Sequence, residues 1–145
     1  MTSTVTYGGG LRTEAIHLQS GSPIETDAPT DNHGQGARFS PTDLIGTALA
    51  SCMLTTIAIR AKALEERLRG VRIDVRKVMS ATPPRRIAEL HLTFHYPPGS
   101  AYTAEQRAEM ERIAWSCPVK ESLHPDLRLE VDFNWPSHTS ENPLP

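Results

Sequence analysis

Apolar and polar positions along this chain follow two rhythms: a period of two in several short runs, and one long segment in which apolar residues crowd nearly every position. Residues 2–7 and 13–19 are short β-like runs, the second with Ile16 and Leu18 alternating against Glu14 and His17. Gly8-Gly9-Gly10 between them predicts a turn, so the two read as a hairpin or meander, and residues 22–26 offer a third strand. Residues 27–36, DAPTDNHGQG, have the Pro, Asn, Asp and Gly content of a surface loop.

The long segment is residues 40–61, SPTDLIGTALASCMLTTIAIRA. Ser40 suits the N-cap of a helix, Pro41 its first position, where a missing N–H loses no partner, and Asp43 brings negative charge to the positive helix start. Residues 44–59 carry no charged side chain, and small and apolar residues run round the whole helical wheel, which predicts a helix buried on all sides. Broken by Gly46, Thr47 and Ser51, the run is too short and too polar for a bilayer span, so a core helix is expected. The helix is predicted to continue, now amphipathic, through residues 62–69 and to stop at Gly70, a residue suited to the left-handed position after a helix end.

Beyond it, Val71, Ile73 and Val75 alternate with Arg72, Asp74 and Arg76, and Leu90, Leu92, Phe94 and Tyr96 alternate with His91, Thr93 and His95. Both are half-buried strands joined by a turn around Pro83-Pro84. Thr103 followed by Gln106 is a capping box, opening a helix whose Met110, Ile113, Ala114 and Cys117 fall on one face. Pro118 ends that helix and offers the start of a short one, and Leu127, Leu129, Val131, Phe133 and Trp135 alternate in a final strand. The order and the one-sided alternation predict an α+β fold, antiparallel-rich sheets packed around the long central helix, in a single domain over residues 1–135 with a flexible tail over 136–145. Strands from one chain cover an all-round apolar helix only in part, which points to a second subunit for the rest.

Composition narrows the picture. A chain of 145 residues can bury a real core, and with 6% aromatic residues that core is expected to be mostly aliphatic. A net charge of -2, with the signs interspersed, gives no electrostatic footprint for nucleic acid or an anionic membrane, and Arg85-Arg86 reads as a solvated hairpin tip. The N-terminus has no charged n-region followed by an apolar run, so a soluble, cytoplasmic protein is expected. In such a reducing compartment two cysteines are not a structural staple by default.

Position alone leaves both cysteines open to a plain reading, since a free cysteine behaves as a small buried hydrophobe. Yet Cys52 and Cys117 both fall on core-facing helical positions, and two thiols 65 residues apart in sequence can attack and resolve if the fold brings them together. Cys52 lies twelve residues past the cap, about 18 Å along the helix, so a cation from elsewhere must stabilise its thiolate. Cys117, directly before Pro118-Val119-Lys120, sits where an N-cap would, so local physics makes it the more acidic thiol. A metal is not expected: the six histidines include His91 and His95, four apart, but in a strand that separates them by about 13 Å.

The stretches SPTDLIGTALASCM and AWSCPVKESLHPDLRLEVDF, their separation and the strands around them resemble the OsmC/Ohr family of hydroperoxide reductases, over residues 2–135. The resemblance implies an intertwined α+β homodimer with the cysteine helices buried centrally and no cofactor. It implies that Cys52 is the peroxidatic thiolate attacking an organic hydroperoxide, that Cys117 resolves the resulting sulfenic acid as a disulfide, and that an external dithiol resets the enzyme. It further implies an arginine from the N-terminal sheet beside the thiolate, for which GGGLRTE offers Arg12, with the loop residue Arg38 as the alternative. Many relatives carry glutamate ten residues before the first cysteine to orient that arginine; this chain has Thr42 there and Asp43 one position on. That departure keeps a second reading open, a catalytically weak protein of the same fold that binds a lipophilic ligand at the dimer interface.

Overall fold

The computed structural model describes residues 1–136, and the tail expected over 136–145 lies, after its first residue, outside the described residues. The chain divides into two compact units, Met1–Ile45 and Gly46–Pro145.

In the first unit β1 (Ser3–Gly9), β2 (Arg12–His17) and β3 (Pro23–Asp27) form an antiparallel meander in the order β1-β2-β3. Its tight turn comes from the glycines: Gly9 and Gly10 take φ of 88° and 59°, and the pairing slips between Tyr7 and Gly9 to admit the bend. The loop that follows is more ordered than its composition implies. Asp27, wholly buried, accepts a hydrogen bond from the Ala37 N–H at 2.9 Å, and its own N–H donates to the Phe39 carbonyl. Gly34 passes so close to the Ala28 carbonyl that a Cβ there would overlap it.

Helix α1 (Pro41–Arg60) starts as its residues dictate. Ser40 Oγ accepts from the Asp43 N–H at 3.1 Å while Asp43 Oδ2 accepts from the Ser40 N–H at 2.8 Å, a reciprocal cap. The expected continuation through residues 62–69 is not α-helical. The chain leaves helical geometry at Ala61 and resumes as a 3-10 helix, Lys62–Leu68, before Gly70 turns left-handed at φ 80° as expected. Ala61 at the break and Leu64 beyond it are both buried.

In the second unit β4 (Arg72–Met79) and β5 (Ile87–His95) form the expected hairpin, and β6 (Arg128–Asn134) joins β5 in parallel, giving the order β4-β5-β6. The parallel pairing requires the crossover made by α2 (Ala104–Ala114), capped by Thr103 and Gln106 as the sequence predicts, and by the short α3 (Pro118–Glu121). Leu90, Leu92 and Phe94 of β5, Leu49, Met53 and Ile57 of α1, and Met110 and Ile113 of α2 belong to one hydrophobic cluster. Aliphatic residues dominate it, but the aromatic residues are gathered at one end: Phe94 stacks on Phe133 at 4.5 Å and Tyr96 on Trp135 at 4.2 Å between ring centres.

All-round burial of α1 is not met within the single chain. Gly46, Leu49, Ala50, Met53, Thr56 and Ile57 face protein, whereas Ala48, Ser51 and Thr55 are exposed and Ile59 is 76% exposed. By length and composition α1 could also cross a membrane, but its buried face and capped start are those of a core helix.

Candidate active site

Cys52 lies midway along α1 and is partly buried; Cys117 is wholly buried where α2 ends and α3 begins. Cys52 sits on α1, whereas α2 stops at Ala114, so Cys117, expected on the core face of that helix, lies beyond it in extended geometry; the two thiols come near enough for Cys52 to bear on the charge of Cys117 although 65 residues separate them. Both are free thiols. As its place before Pro118 predicts, Cys117 is the N-cap of α3, its Sγ accepting from the Lys120 N–H at 3.4 Å.

The acidity expected from that cap is reversed. Burial pushes the Cys117 thiol up, the Lys120 amide offsets this only in part, and the neighbouring Cys52 thiol pushes it further up. The Lys120 and Val119 amides at the cap of a four-residue helix together offset less than the cost of stripping water from a thiolate. Cys117 is therefore held as the neutral thiol. Cys52 Sγ has a neighbour of its own on α1, the Thr56 hydroxyl at 3.9 Å.

Arg12 and Arg38 belong to the first unit, where they line the same cleft of about 340 Å³ beside the glycine turn. Arg38 is bound closely, its Nε donating to Glu25 Oε2 at 2.7 Å and Nη1 to the Ala37 carbonyl at 2.8 Å. Arg12 is held more loosely. Its Nη2 donates to Gln35 Oε1 at 2.9 Å and lies 3.7 Å from Asp27 Oδ2. Asp27 is held below the usual carboxylate range, first by the Ala37 N–H and also by the Arg12 charge. It is thus a carboxylate beside Arg12, a position for which the sequence offered only Thr42 and Asp43. Asp43 caps α1 instead, and Thr42 Oγ1 lies 3.1 Å from Ser40 Oγ.

Among the described residues no three His, Cys, Asp or Glu are grouped to hold a metal ion. His91 lies on the polar face of the second sheet with Nε2 at 2.7 Å from Glu89 and Nδ1 at 2.7 Å from Glu130. Sequence reasoning passed over both Asp27 and Thr56. Asp27 stands in a segment with loop composition, and Thr56 has the character of one more small residue in a core helix.

The fold is shared with solved structures. A protein from Psychrobacter arcticus, provisionally named an osmotic stress induced and detoxification response protein, is 47% identical over 92% of this chain and 95% of its own, with a TM-score of 0.85. An organic hydroperoxide resistance protein OsmC from Legionella pneumophila superposes over 92% and 96% of the two chains at 16% identity and a TM-score of 0.69. An OsmC-like protein from Mycoplasma pneumoniae does so over 90% and 93%, at 20% identity and a TM-score of 0.67. No curated protein matches. The family model for OsmC-like protein matches residues 34–132, a span that takes in α1, both cysteines and most of the second sheet, and the chain belongs to the OsmC-like family.

Proposed function

We propose that this protein is a thiol-dependent peroxidase that reduces organic hydroperoxides to alcohols. The observation that carries the reading is the pair of free thiols, distant in sequence yet near enough in the fold for one to bear on the other's charge, one partly exposed and the other buried at a helix junction. The Cys52 thiolate attacks the terminal oxygen of ROOH; the O–O bond breaks, the alkoxide leaves with a proton as ROH, and Cys52 becomes a sulfenic acid. The Cys117 sulfur then attacks the Cys52 sulfur and water leaves, forming a disulfide that an external dithiol reduces. A buried neutral thiol suits the second role, since it is itself a poor target for peroxide and gains reactivity only when it is released to its partner.

Arg12 is the cation we place beside the thiolate, on the ground that Arg38 is the more tightly paired of the two, and Asp27 stands in for the glutamate absent at Thr42. The working form is a homodimer in the cytoplasm, the uncovered face of α1 packing against a second copy. Organic peroxides are favoured over hydrogen peroxide because Ala48, one turn before Cys52, and Ile45 and Ile59, two turns to either side of it on α1, are apolar and exposed to an alkyl chain. Consumption of cumene hydroperoxide and of hydrogen peroxide with a dithiol reductant tests this: rapid turnover of the first and slow turnover of the second is expected. Turnover of neither would replace the reading with a ligand-binding role for the same fold.

A further inference from the structure

Two adjacent threonines on α1 use their hydroxyls differently. Thr55 follows the usual habit of a mid-helix threonine, its Oγ1 donating to the backbone carbonyls of Ser51 at 3.0 Å and Cys52 at 3.3 Å. Thr56 is buried, 8% exposed, and its hydroxyl is turned instead along the helix to Cys52 Sγ, one turn back at 3.9 Å. Among the described residues that sulfur is the hydrogen-bond partner of this buried hydroxyl. The i, i+4 spacing makes the juxtaposition a property of the helix, so it persists whatever cation approaches from outside.

We infer that Thr56 is a thiolate-stabilising residue, its hydroxyl donating to the Cys52 sulfur when that sulfur is charged. With Cys52 as a thiol either group can donate, and the contact is long and weak. Loss of the thiol proton leaves Thr56 as the donor, and the bond becomes charge-assisted, which shortens and strengthens it. It acts from the buried side of the sulfur, where water cannot substitute, and it compensates for the distance of Cys52 from the helix start. The inference concerns the same cysteine as the proposed peroxidase chemistry, but its test does not depend on peroxide turnover.

In a Cys117→Ser background, where Cys52 is the remaining thiol, the rate of alkylation by iodoacetamide is followed against pH for Thr56→Val and Thr56→Ser. Valine keeps the shape and removes the hydroxyl; serine keeps the hydroxyl and removes the methyl. The expected result is that Thr56→Val moves the midpoint of the profile upward and slows alkylation at pH 7 by about tenfold, with the same plateau at high pH, while Thr56→Ser stays close to the parent. A Thr56→Val profile that superimposes on the parent overturns the inference, as does a Thr56→Ser variant as slow as valine, which would place the effect in packing. If the Cys117→Ser parent alkylates as described yet the unsubstituted protein with a dithiol consumes no hydroperoxide, the peroxidase reading fails and the role of Thr56 stands.

Discussion

At the scale of single residues, the site is decided by what each side chain's surroundings do to its charge. Burial holds the proton on Cys117 more tightly in the folded chain than in the unfolded one, so its contribution to stability is full below the unfolded value of about 8.5 and is lost as pH rises through the raised folded value. Urea unfolding between pH 7 and 10 should therefore show a fall in stability that is shallower in Cys117→Ala; parallel curves would contradict the assignment. Asp27 works in the opposite sense. Its lowered folded value gives stability above the unfolded value of about 3.9, lost as pH falls through the folded one, so Asp27→Asn should flatten the acid limb of the stability curve. Arg12→Ala should slow alkylation of Cys52 at pH 7 several-fold, and an unchanged rate with Arg38→Ala slowing it would move the role to Arg38. Cys52 was legible from helical spacing and Cys117 from its proline cap, although α2 stops at Ala114 and does not carry Cys117 as the spacing predicted. Asp27 was not, because a Pro- and Gly-rich segment reads as solvated loop, and nothing local reveals that the chain folds back to bury it under Ala37 and Phe39.

At the scale of elements, caps and alternation carried most of the fold. Ser40 with Asp43 and Thr103 with Gln106 capped their helices where the sequence placed them, and period-two patterns marked β2, β4, β5 and β6. Alternation tells which face of a strand is buried but not which strand it pairs with, so the parallel pairing of β6 with β5 was not legible. The break at Ala61 was hidden as well, since the residues there suit an α-helix and Ile57, Ala61 and Leu64 would share one face of it. Gly46 marks a close approach of α1 to the sheet, for a Cβ there would lie 2.9 Å from Val75 Cγ1 and 3.2 Å from Leu90 Cδ2. Gly46→Val should lower stability by about 1–3 kcal/mol through overpacking, measured by chemical denaturation, and an unchanged midpoint would mean that the contact is slack.

At the scale of the whole molecule, one observation governs the rest: a helix without charge over residues 44–59 that its own chain covers on one face. A chain in water with Ile59 76% exposed beside Thr55 and Ala48 has an apolar surface to hide, and a second copy is the cover that the proposed function calls for. Sedimentation at micromolar concentration should give a dimer, and a stable folded monomer would contradict it. The proposed chemistry turns on a narrower point, the order in which the two sulfurs act. Mass spectrometry of Cys117→Ser and Cys52→Ser, each after one equivalent of cumene hydroperoxide and trapping with dimedone, decides it. The expected result is a sulfenic adduct on Cys52 in the Cys117→Ser protein and no oxidation of the Cys52→Ser protein. An adduct on Cys117 in the Cys52→Ser protein, with none on Cys52 in the other, would reverse the roles, and oxidation of neither would leave both cysteines as core residues alone.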